Sequence, residues 1–490
     1  MTMDTKQLIS GYAHSSSQIQ AARERLLADT GNITDDWQKT TSGGSDTMKA
    51  GLWKSPLQDF IALLEKTLNA NDGVDPNENW QRLTDGGEEV EAGDGANILG
   101  GKGNDTIRAR NNALIAGGDG NDTISAYNSA RIWGGNGDDT ISAYDYAQIA
   151  GGDGDDTISA YGNARILGGN GNDTISTNNN AHIDGGDGDD TISAYGNARI
   201  LGGNGNDTIS TYNNAHIDGG DGEDTISAYG NARILGGNGN DTISTYNNAH
   251  IDGGDGNDRI RAYDNARISA GAGNDQVSVY DNATINASDG HDTVSAYSNA
   301  TINLGAGNDY AYAAGVNNRI HGGDGDDVIR AAENNQLFGG AGNDYISTGK
   351  NSMVGGGSGD DVIHIGKYSV VNGGTGDDFV HVGGNSTILF SKGDGKDTLT
   401  GIGTISGPGD LDKSKVVFDS NISPDDVTIS FEGDSMVIAF KDSDDSITIP
   451  DMGERTSMWH PNQTAPNLEF ADGTYWTSAD IVAMAEAARG

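Results

Sequence analysis

Between residues 98 and 399, hydrophobic and polar positions alternate in short bursts that recur at a fixed interval. In Thr-Ile-Ser-Ala-Tyr and its variants the period is two, as in a half-buried β-strand. In one copy, Ile209 and Thr211 face one side, and Thr208, Ser210 and Tyr212 face the other. A second short alternation turns Ala215 and Ile217 inward and His216 outward. Between the two, Asn213-Asn214 supplies a tight corner, because Asn tolerates the left-handed conformation. Gly219-Gly220-Asp221-Gly222 supplies the opposite corner, where positive φ is needed repeatedly. One unit is therefore predicted to be one coil of a parallel β-solenoid, with neighbouring coils about 4.8 Å apart. Each coil brings in only one Ile pair and an Ala or Thr, so no coil is stable alone.

The period is set by the sequence Gly-Gly-x-Gly-x-Asp. Its aspartates are Asp105, Asp122, Asp139, Asp156, Asp173, Asp190, Asp207, Asp224, Asp241, Asp258, Asp275, Asp292 and Asp309, always 17 residues apart. Asp327, Asp344, Asp361, Asp378 and Asp397 follow at intervals of 18, 17, 17, 17 and 19. Residues 168–201 and 202–235 differ only at Asn178/Tyr212 and Asp189/Glu223, which points to duplication of a two-coil block.

The flanks follow other patterns. Within residues 1–90 a helical spacing is clearest from Gln18 to Leu27. A second helix is expected from Ser55-Pro56, with Leu57, Phe60, Ile61, Leu64 and Leu68 on one face, and a linker from Asn71 to Asn79. After Pro408, three strands are predicted at Val427–Phe431, Met436–Phe440 and Ser446–Ile449, then a helix over Ser478–Ala488 capped by Thr477 or Ser478. The expected fold is mainly β. A small helical region (1–90) precedes a solenoid of 17-residue coils (91–407), and a small β-rich region (408–490) follows it.

Charge changes the picture. There are 72 Asp and Glu against 29 Lys and Arg, a net charge of −43, and only 34% of residues are hydrophobic. A compact chain so charged repels itself unless cations neutralise it, which makes nucleic acid a poor partner. No Cys is present, so disulfides and thiol catalysis are excluded. No apolar run is long enough for a transmembrane helix, and the first residues do not form a Sec-type signal peptide.

Glycine turns expose carbonyl oxygens, and an Asp at the end of each turn adds a carboxylate. Calcium takes six to eight such oxygens. The repeat, as in Gly202 to Ser210, resembles the RTX family of nonapeptide β-roll proteins, over roughly residues 98–399. That resemblance implies several calcium ions held by loop carbonyls and the Asp carboxylates. The implied metal residues are Asp105 through Asp275 of the series above, Asp309, Asp327, Asp344, Asp361 and Asp378. With them go the loop residues Gly168, Asn170, Gly185, Asp187, Gly202, Asn204, Gly219, Asp221, Gly236 and Asn238. RTX rolls commonly carry two nonapeptides per coil. Here the second half-coil ends in an Asn or Gly corner, so one row of ions is expected, with weak sites near 270–273 and 287–290. Residues 422–429, 445–449 and 468–474 resemble the haemolysin-type calcium-binding-related segment, which implies export by a type I secretion apparatus and an extracellular or cell-surface location.

Two further columns run along the coils. Arg165, His182, Arg199, His216, Arg233, His250 and Arg267 form a solvent-facing stack whose histidines lie two coils apart, roughly 10 Å, too far to share an ion. A tyrosine column, including Tyr195, Tyr212, Tyr229 and Tyr246, offers a flat sugar- or ice-binding face; its simpler role is a stabilising ladder. No nucleophile–base pair stands out, so a non-enzymatic surface-layer, matrix or host-contact protein is expected, with polysaccharide, a cell surface or self-association as partners. The competing classes are a membrane-active toxin, an accessory to a glycan-processing enzyme and an ice-binding protein.

Overall fold

The computed structural model describes residues 80–402, 414–452 and 465–489. The two helices expected within residues 1–90 lie outside the described residues. The chain divides into two units, residues 1–208 and 209–490.

In the first unit each coil contributes one strand to each of two parallel sheets. One sheet contains Thr123–Tyr127, Thr140–Ala143, Thr157–Ala160, Thr174–Thr177 and Thr191–Ala194, each residue opposite its equivalent one coil away, as Ile158 is opposite Ile175. The other contains Leu114–Asp119, Arg131–Asn136, Gln148–Asp153, Arg165–Asn170, His182–Asp187 and Ala198–Asn204. Register is pinned because a slip by one residue would turn every inward Ile out to water. Ile158, Ile175 and Ile192 of one sheet and Ile166 and Ile183 of the other are at most 1% exposed. Ala160 and Ala194 are buried beside Thr177, whose hydroxyl has no hydrogen-bond partner.

Among the described residues, pairing is already present at Trp80, ahead of the solenoid boundary expected at residue 91. Trp80–Arg82 and Glu89–Ala92 are already in register with the coil that follows. These strands lack the Gly-Asp motif that marked the later coils.

The second unit repeats the plan from Thr225–Ala228 and Ala232–Asn238 onward. Its end is built differently. Lys415–Phe418 pairs in parallel with Thr387–Phe390, and Ser446–Ile449 with Lys396–Thr400, so both sheets continue beyond the boundary expected at 408. Val427–Glu432 and Ser435–Phe440 form an antiparallel hairpin, its turn made by Gly433 at φ 61°. Phe390, Phe418, Phe440 and Phe470 pack ring on ring across this end. The helix Ser478–Arg489 starts as a capping box. Thr477 Oγ1 accepts the Asp480 N–H at 3.3 Å, and the Asp480 carboxylate accepts the Thr477 N–H at 2.9 Å, which makes Thr477 the cap.

Candidate metal sites along the glycine edge

The repeated aspartates form a buried column in each unit. Asp Oδ1 accepts the main-chain N–H of the Asp one coil earlier: 2.7 Å from Asp105 to Asp122, 2.8 Å from Asp156 to Asp173 and 2.7 Å from Asp173 to Asp190. In the second unit the same bond is 2.8 Å from Asp224 to Asp241 and 2.8 Å from Asp361 to Asp378. This satisfies one oxygen and leaves the other. Oδ2 is buried and lacks a hydrogen-bond partner from Asp122 through Asp190, and again from Asp241 through Asp378. Asp105, at the start, differs: its Oδ2 accepts the Gly101 N–H at 3.2 Å.

Glycine makes room beside the orphan oxygen in most coils. A Cβ on Gly185 would lie 2.2 Å from Asp190 Oδ2 and 2.4 Å from the Gly202 carbonyl oxygen. A Cβ on Gly168 would come within 2.1 Å of Asp173 Oδ2, and one on Gly236 within 2.3 Å of Asp241 Oδ2. The next glycine serves the backbone instead. Gly203 has φ +127°, and a Cβ there would sit 2.0 Å from the Gly186 carbonyl oxygen of the preceding coil.

Burial pushes these carboxyls up, and neighbouring carboxylates add to the rise. The hydrogen bond from the preceding Asp only partly offsets it. Asp139 and Asp173 are pushed up to about 8, Asp241 to about 7, and Asp190 and Asp378 to about 6. An unpaired carboxylate in such a place is costly. Among the described residues, no group of three or more His, Cys, Asp or Glu converges as a metal site. An ion here would therefore be held by one carboxylate per loop together with backbone carbonyls, an all-oxygen set that suits calcium and not a soft transition metal. The orphan oxygens and the glycine-lined space beside them fit that ion.

The remaining sequence-predicted ligands divide. Gly168, Gly185, Gly202, Gly219 and Gly236 line the column. The side chains of Asn170, Asp187, Asn204, Asp221 and Asn238 do not; they are exposed on the rim and bond to one another across coils. Asn204 Nδ2 donates to Asp187 Oδ1 at 2.6 Å, and Asn136 Nδ2 to Asp119 Oδ1 at 2.7 Å. The carbonyls of Asn170, Asp187, Asn204 and Asn238 accept the N–H of the glycine one coil earlier, as Asn204 O does from Gly188 at 2.7 Å, and each keeps a second lone pair for an ion. The alternation of Asn and Asp at this position carries the signal: each carboxylate faces an amide and not a second carboxylate. At Ala270, Ala287 and Leu304, all fully buried, a side chain stands where the other coils have the inward glycine, beside Asp275, Asp292 and Asp309. The departure from the repeat motif read at 270–292 thus extends to Leu304.

The opposite edge has no buried carboxylate column among the described residues. Exposed Asn residues close several of its corners, as where the Asn197 N–H donates to Asn180 Oδ1 at 3.0 Å, while later corners use buried Asn318, Asn335, Ser352 and Ser369. Beside it, Tyr212, Tyr229, Tyr246, Tyr263 and Tyr280 stack at 4.6–5.2 Å. Tyr195 is likewise exposed. Stacked rings cover one another's faces and offer solvent only their edges and hydroxyls. Between Tyr212 and Tyr280 the interior rings leave no face free for a sugar ring to stack on. The Arg/His column lies on the outer side of its sheet as expected, Arg165 in register with His182 and His182 with Arg199.

The RTX calcium-binding nonapeptide repeat matches this chain at residues 110–130, 131–145, 148–175, 176–209, 211–243, 244–277, 303–333 and 331–352. No curated protein matches it. Among solved structures, it is similar to a hyperactive, Ca2+-dependent, β-helical antifreeze protein from an Antarctic bacterium. That match has 19% identity and TM-score 0.31, and covers 63% of this chain and 86% of the other. It is also similar to the extracellular lipase LipA of Serratia marcescens at 20% identity and TM-score 0.18, over 47% of this chain and 38% of the lipase.

Proposed function

The repeat region of this chain belongs to the RTX calcium-binding nonapeptide repeat family, and from that premise we propose a secreted, non-enzymatic solenoid whose folding is switched on by calcium. The supporting observation is the column of buried Asp Oδ2 atoms without hydrogen-bond partners, from Asp122 through Asp190 and from Asp241 through Asp378, beside an inward glycine except at Asp275, Asp292 and Asp309. In each unit the column aspartates and the adjoining loop carbonyls would hold a row of ions along one edge, from Asp122 in the first unit to Asp378 in the second, weakest at Asp275, Asp292 and Asp309. Bound calcium supplies the positive charge that lets these carboxylates stay ionised while buried, so its binding free energy becomes folding free energy.

In a compartment poor in calcium the chain, with net charge −43, stays expanded and fits a type I secretion apparatus. Outside, calcium assembles a scaffold for a surface layer, a matrix or contact with a host. No helix among the described residues is long and apolar enough to cross a membrane. Export is tested by expressing the full chain, and a version ending at residue 407, in a Gram-negative host carrying a type I exporter. The full chain is expected in the medium and the shortened one in the cells; equal export of both overturns the secretion reading.

A further inference from the structure

The spacing that removes the Arg/His column as a metal row admits one other pair. The chain has nine histidines, and only His364 and His381 are one 17-residue coil apart. They lie opposite each other on the adjacent parallel strands Val362–Ile365 and Phe379–Val382, on the outer side, away from the aspartate column. Their ring centroids are 5.7 Å apart with planes at 37°.

Three features hold this pair in place. His364 packs against the rings of Tyr345 at 5.6 Å and Phe379 at 6.2 Å, and its Nδ1 is buried without a hydrogen-bond partner. His381 Nδ1 lies 3.0 Å from Thr400 Oγ1. If Nδ1 is the donor in that bond, the Nε2 lone pair is left for a ligand; hydrogen bonds of this kind orient metal-binding imidazoles. Gly401, at φ +79°, backs the same ring: a Cβ there would lie 2.8 Å from His381 Cε1.

We propose that His364 and His381 together bind one divalent transition-metal ion of the imidazole-preferring class, such as Zn2+, Ni2+ or Cu2+, separate from the calcium loops. Metal–nitrogen bonds of about 2.0–2.1 Å let one ion bridge two rings at this separation, with water in the open positions. The ligand set is the reverse of the calcium edge: two nitrogens and no carboxylate.

The test uses the calcium-saturated full chain, titrated with Ni2+ and Zn2+ by calorimetry and with Cu2+ by electron paramagnetic resonance. One ion per chain is expected, with nitrogen hyperfine structure from two imidazoles. His364→Ala and His381→Ala should each weaken binding at least tenfold, with His182→Ala as the control that leaves it unchanged. Calcium-dependent circular dichroism checks that each variant folds, and His381→Gln replaces any that does not. A wild-type Cu2+ spectrum without two-imidazole coupling, or binding that survives both substitutions, overturns the proposal.

Discussion

If calcium neutralises the aspartate column, acid should do so in its absence. Asp139 and Asp173, carried to about 8 in the folded chain from an ordinary 3.8, hold protons that the unfolded chain releases. A carboxyl raised on folding contributes stability that is fully present below about pH 3.8 and is lost as pH climbs through its folded value. For Asp190, raised to about 6, the shift is about two units, or about 3 kcal/mol at 1.36 kcal/mol per unit. Screening by solvent at the loop edge reduces this to roughly 1 kcal/mol. Asp122, Asp139, Asp156 and Asp173 are raised further, to about 7 or 8. At roughly 1–2 kcal/mol each, the column in the first unit rivals the 5–15 kcal/mol that typically separates folded from unfolded domains. Circular dichroism in a calcium chelator should therefore show β-structure near pH 5 that disappears by about pH 8. Exposed carboxylates are already ionised above about pH 5.5, so the transition in that window reports mainly the column. Asp139→Asn with Asp173→Asn should move the chelated midpoint to higher pH. β-structure in chelator that is independent of pH, or that grows as pH rises, would refute the reasoning.

Other expectations concern single residues. Gly185→Ala places a methyl against Asp190 Oδ2 and should raise the calcium needed for folding several-fold, read as the midpoint of a calcium titration. Gly203→Ala should cost more, because it combines φ +127° with contact to the Gly186 carbonyl; a loss of roughly 3 kcal/mol or more by urea unfolding is expected. Tyr229→Ala breaks the stack between Tyr212 and Tyr246 and should lower stability by about 1–2 kcal/mol while leaving calcium stoichiometry unchanged in equilibrium dialysis.

The coil itself was legible because its signals agree. Period-two alternation, Asn corners and Gly-Asp turns recur in step, and the paired strands follow that register residue by residue. The buried column was legible at the level of Asp and glycine, where the motif recurs at a near-constant spacing. Two things were not. Nothing in one repeat tells the inward Asp190 from the rim-facing Asp187, since both are acids in one loop; burial and hydrogen bonding separate them. Nor did Trp80–Arg82 or Lys415–Phe418 look like solenoid strands, because they join the sheets through pairing alone, without the loop motif.

The most direct measurement is far-UV circular dichroism of the full chain at pH 7.5 during a calcium titration, followed by chelation. A cooperative gain of β-structure with calcium, reversed by chelator, is expected from a column of carboxylates that cannot stay both buried and ionised alone. β-structure that is already complete before calcium and unchanged by chelation would contradict it.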